Sequence, residues 1–161
     1  MINRFVLILN EAVVILVCLT PGAEAMDRYY CEVDDGQLKL SIEAAFKEEP
    51  GWPLGNLRGV MVFKPGQGVS GEDRTVTGAV RLAMADMVQS RRDDRSFQIR
   101  TSSTSGDGGE IMSVDIVLKA SMQGEDINRF AGSYAVTVRP QGNTHPAAAV
   151  ERDGALNCKR F

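Results

Sequence analysis

From Gln37 to Phe46 the chain alternates between two kinds of side chain. Leu38, Leu40, Ile42, Ala44 and Phe46 share one face; Lys39, Ser41, Glu43 and Ala45 share the other. A two-residue period belongs to a β-strand with one covered face and one wet face. The pattern recurs along the chain. Ser96 to Ser102 alternates through Phe97, Ile99 and Thr101. Ile111 to Ala120 alternates through Met112, Val114, Ile116, Leu118 and Ala120. Ser133 to Arg139 alternates through Tyr134, Val136 and Val138. Arg28 to Val33, Leu57 to Lys64 and Ala155 to Phe161 add three more strands, the last with Leu156 and Cys158 on one face.

Turn residues separate these strands. Asp34-Asp35-Gly36 joins the first two as a hairpin, because Asp and Gly tolerate positive φ. Ser105-Gly106-Asp107-Gly108-Gly109 and Asp153-Gly154 read as further turns. Short strands at this spacing predict a mainly β, single domain: an antiparallel β-sandwich or a barrel-like sheet. Ala79 to Ser90 departs from the pattern. Its composition favours a short helix, with Val80, Met84, Met87 and Val88 at helical spacing and Thr77 as a cap. A strand running on from Thr75 is the alternative. Arg91-Arg92-Asp93-Asp94-Arg95 reads as an exposed, self-neutralising turn. The long loops are 47–56, 65–74 and 140–150.

The first 25 residues differ from the rest. Arg4 precedes an apolar stretch, Phe5 to Leu19, interrupted by Asn10 and Glu11. Ala23-Glu24-Ala25 then offers small residues where a signal peptidase requires them. Cleavage after Ala25 is expected, leaving residues 26–161 as the domain and no membrane span. Cys18 would leave with the signal; Val17 before it does not fit a lipoprotein site. Loss of Arg4, Glu11 and Glu24 takes the formal charge from −3 to −2. Neither value suits a nucleic-acid binder, which needs a basic excess against phosphate. Cys31 and Cys158 remain, one near each end of the domain. An even pair in an exported chain predicts a disulfide, and so a periplasmic or secreted location. Closing so long a loop is worth on the order of 4–5 kcal/mol in the chain-entropy account.

Residues that carry chemistry are few. A Ser-His-Asp site needs a His, and His145 is the sole one, in Gly142-Asn143-Thr144-His145-Pro146. Zinc requires three or four Cys or His ligands, which the chain lacks. Asp34-Asp35, Asp93-Asp94 and Glu125-Asp126 are adjacent pairs at turns and read as turn or cap residues. Glycosidase carboxylates come from separate elements instead. Asp107-Gly108-Gly109-Glu110 offers oxygen ligands for calcium but lacks EF-hand spacing. Met84 and Met87, with Met61, Met112 and Met122, fit core packing better than a copper site. The expectation is therefore a protein without catalytic residues, metal or cofactor.

Trp52 stands out in Glu48-Glu49-Pro50-Gly51-Trp52-Pro53-Leu54-Gly55. An indole in such a loop either contacts a ligand or folds back to plug one end of the domain. Tyr134 is the second candidate for ligand contact. Phe130-Ala131-Gly132-Ser133-Tyr134 resembles the Ser-Gly-x-Tyr loop of bacterial periplasmic lysozyme inhibitors, small exported β proteins, although Gly precedes Ser here. That resemblance implies inhibition of a hydrolase such as lysozyme. The leading expectation is a non-enzymatic binding module of the bacterial envelope that engages a protein or glycan through its loops. A glycan-active enzyme is the remaining alternative.

Overall fold

The computed structural model describes residues 25–64, 78–107, 110–141 and 149–161. Nine strands form one antiparallel sheet: β1 (Met26–Asp34), β2 (Leu38–Lys47), β3 (Leu54–Phe63), β4 (Gly78–Ala83), β5 (Met87–Arg92), β6 (Ser96–Asp107), β7 (Glu110–Gln123), β8 (Asp126–Gln141) and β9 (Val150–Arg160). The spatial order is β4-β3-β2-β1-β9-β8-β7-β6-β5. Chain neighbours are sheet neighbours except β4 and β5, which lie at opposite edges of the sheet, and the last strand pairs with the first. The sheet curls until it is a nearly closed barrel.

The seam lies where a helix is expected at 79–90. There is no α-helix among the described residues. β4 and β5 are separated by one turn of 3-10 helix, Met84–Asp86. β4 pairs with β3 and β5 pairs with β6. The alternating directions of the sheet make β4 and β5 run the same way, so they are two halves of one bent stave. The first half closes one edge of the sheet and the second half closes the other. Helix propensity is overruled because Val80 and Leu82 reach the core at strand spacing. The turn expected at Asp153-Gly154 is also absent: both residues lie within β9.

Side chains fill the barrel. Leu38, Leu40, Ile42 and Phe46 of β2 point inward, as do Val114, Ile116 and Leu118 of β7, and all are buried. Cys31 and Cys158 are also buried, face each other across β1 and β9, and form a disulfide with Cα atoms 4.0 Å apart. The bridge thus joins the two strands nearest the chain ends. Met61 is buried, and Met84, Met87, Met112 and Met122 pack partly buried against the same core. No helix among the described residues is long and apolar enough to cross a membrane.

Candidate binding site at the tryptophan end

The ends of β1, β5 and β9 and the β2–β3 loop meet at one mouth of the barrel. Asp27 shares the inward face of β1 with Tyr29, Cys31 and Val33, so its carboxylate is buried. A buried carboxylate requires partners. Two arginines supply them. Arg92 Nη2 pairs with Asp27 Oδ2, and Arg92 Nε donates to Tyr29 Oη at 3.0 Å. Arg160 donates to Asp27 Oδ1 through Nε at 3.0 Å and Nη2 at 2.5 Å. The Arg92 side chain is only 3% exposed, whereas Arg160 is 29% exposed and reaches the rim. Arg92 Nη1 is buried and finds no hydrogen-bond acceptor among the described residues.

Below this charge cluster lies an aromatic floor. The Tyr29 ring packs against Phe97 at 4.8 Å, Phe130 at 5.1 Å and Phe46 at 5.9 Å between centroids. Burial pushes the Tyr29 phenol above its ordinary value, and the Arg92 guanidinium only partly opposes that. The phenol is therefore neutral at physiological pH, free to accept from Arg92.

Trp52 covers the cluster. Its ring centroid lies 3.9 Å from the Arg92 guanidinium carbon, a close cation–π stack. The loop explains how it gets there. Trp52 N donates to Glu49 O at 2.9 Å, closing a turn through Pro50 and Gly51. Gly51 has φ 87°, as the third residue of a type II turn requires. Trp52 itself has φ 44°. A bulky residue there is strained, by on the order of 1–3 kcal/mol. Pro53 adds to this, since a residue before proline favours extended backbone. The stack on Arg92 holds this strained backbone in place, and Trp52 remains partly exposed.

Tyr134 sits elsewhere. It is buried inside β8, and its hydroxyl donates to Asp35 Oδ2 at 2.5 Å. Its ring lies against Gly154, where a Cβ would come within 2.8 Å of the ring. That contact leaves room only for glycine at 154, and Asp153-Gly154 continues the strand because it pairs with Ala135 and Tyr134 of β8. Burial, and then the Asp35 carboxylate, raise the Tyr134 phenol far above its ordinary value. Phe130 to Tyr134 lies wholly within β8, so this segment forms no protruding loop. Trp52 and Tyr134 are not brought together.

The paired carboxylates serve turns. Asp35 accepts from Gln37 N at 2.7 Å and Leu38 N at 3.0 Å. Asp93 accepts from Arg95 N at 2.9 Å and Ser96 N at 2.7 Å, which holds it below the ordinary carboxylate range. Asp126 accepts from Asn128 N at 3.0 Å. Arg92 corrects the reading of residues 91–95 as an exposed turn: it is buried, because β5 runs on through Arg91 and Arg92. Sequence reasoning missed Asp27, Arg92 and Arg160. Asp27 was findable, since it continues the inward phase of Tyr29, Cys31 and Val33. Arg92 carried no such signal, because a β-bulge between Met87 and Gln89 shifts the phase of β5.

Among the described residues, no three His, Cys, Asp or Glu side chains converge as a metal site. Residues 1–24, His145 and Gly108-Gly109 lie outside the described residues. No protein-family model, curated protein or solved structure matches this chain.

Proposed function

We propose that this protein is an exported, non-enzymatic binding module of the bacterial envelope, periplasmic or secreted, that engages a protein or glycan through the loop bearing Trp52. One observation carries the reading: a strained, partly exposed indole held over a buried guanidinium at the mouth of a filled barrel. A core filled with side chains leaves the ends and outer faces as the places for a partner. Two features support export. The Cys31–Cys158 bridge suits an oxidising compartment. β1 starts at Met26, directly after the expected cleavage point.

Trp52→Ala tests this. Wild type and variant are compared on immobilised glycan and envelope-protein panels, with folding followed by far-UV circular dichroism. The variant is expected to keep the β spectrum and lose at least tenfold in binding, as an aromatic anchor does. A variant that fails to fold, or that binds as well as wild type, would overturn the reading.

A further inference from the structure

The charges at the tryptophan end do not balance locally. Among the described residues Asp27 is the one carboxylate inside the cluster, and two guanidinium groups converge on it. Glu48 and Glu49 lie in the same loop but are exposed. Buried N–H groups almost always have acceptors, because leaving one unpaired forfeits the hydrogen bonds it made to water. Arg92 Nη1 has none, although its guanidinium already serves Asp27 and Tyr29. What covers it is an aromatic face, which attracts the cation but accepts hydrogen bonds only weakly. The covering residue also sits in a strained backbone conformation.

We propose that the Trp52 end is a gated carboxylate site for an acidic sugar, a uronic acid unit of a glycan. This rests on the binding-module reading above and specifies its ligand. The indole moves off Arg92 and exposes Nη1. The sugar carboxylate accepts from Arg92 Nη1 and from Arg160 at the rim. The apolar C–H face of the pyranose packs on the displaced indole. A uronic acid suits the site better than an acidic peptide. Its carboxylate is fixed directly to a rigid ring with an apolar face, and this end of the barrel joins an indole to two guanidinium groups. A flexible Asp or Glu side chain would lose rotamer freedom to satisfy both.

Trp52 is the sole tryptophan, so its fluorescence reports on this site alone. The full chain, processed as it is in the cell, is titrated with oligogalacturonate, with the matching neutral galacto-oligosaccharide, and with a poly-glutamate peptide. Oligogalacturonate is expected to shift the emission saturably, with neither control doing so below a tenfold higher concentration. Arg160→Gln is expected to weaken the acidic sugar at least tenfold, as loss of a charge-assisted hydrogen bond does. Arg92→Gln should do the same. If it does not fold, Arg160→Gln decides the matter, since that side chain is at the rim. Equal response to neutral and acidic sugar would overturn the carboxylate site while leaving a binding module intact. A response to poly-glutamate alone would overturn the sugar. No response to any of the three, together with Trp52-dependent capture on the glycan and protein panels, would overturn this inference and spare the broader one. Failure on the panels as well would overturn both.

Discussion

Each end of the barrel places a buried tyrosine next to an aspartate, yet the two arrangements differ in kind. At one end Asp35 accepts from Tyr134 Oη, Gln37 N and Leu38 N. Two of those donors lie within three residues of it, in the β1–β2 turn. Burial works to raise its pKa, but those bonds outweigh it and hold the carboxyl below the ordinary range. At the other end Asp27 takes its partners from 65 and 133 residues away. Those partners bring more donors than the site has acceptors, and a strained indole lies over the surplus. The first end is a satisfied structural turn. The second keeps an unused donor under a cover, and the proposed binding site rests on that donor.

Four changes would break or sharpen that contrast. Replacing Cys31 and Cys158 with Ala should cost the most, about 4 kcal/mol in urea unfolding, because the bridge closes a span of 127 residues. It should loosen both ends together, since β1 contributes to each. Arg92→Met should cost about 3 kcal/mol and act on one end only. That is the low side for a broken buried pair, because Arg160 still neutralises Asp27. Amide exchange should then quicken in β1 near Asp27 and remain slow around Asp35. Tyr134→Phe should cost about 1 kcal/mol at neutral pH, the worth of one hydrogen bond.

The fourth is a pH dependence of the satisfied end. The Asp35 pKa is depressed in the folded state, so its contribution is present above the ordinary carboxylate value of about 3.9. It is lost as pH falls through the lower folded value. The Tyr134 pKa is raised, so its contribution is complete below about 10 and is lost as pH rises further. The cost of Tyr134→Phe should therefore shrink at both extremes. A cost that stays flat from pH 3 to pH 11 would mean the Tyr134–Asp35 bond contributes little.

Much of the frame was legible in the residues. Strict alternation in 37–46 and 111–120 marked β2 and β7, and the Asp34-Asp35-Gly36 turn between β1 and β2 is where it was expected. The bridge followed from two cysteines at opposite ends of the domain. The seam was not legible. Ala79 to Ser90 carries helix-favouring residues, and only the need to close both edges of the sheet makes it strand. Gly154 resembled a turn residue because its role, room for the Tyr134 ring, depends on a neighbouring strand.

The sequence by itself determined a β domain, its strand phases and its cysteine pair, because a period of two and a cysteine count are local or simple properties. Only the tertiary structure decided that Asp27, Arg92 and Arg160 form one cluster beneath Trp52. Those residues come from three strands far apart in the chain. Their proximity is set by the pairing of β1 with β9 and by the bent stave that carries Arg92, and neither leaves a mark on the residues around it.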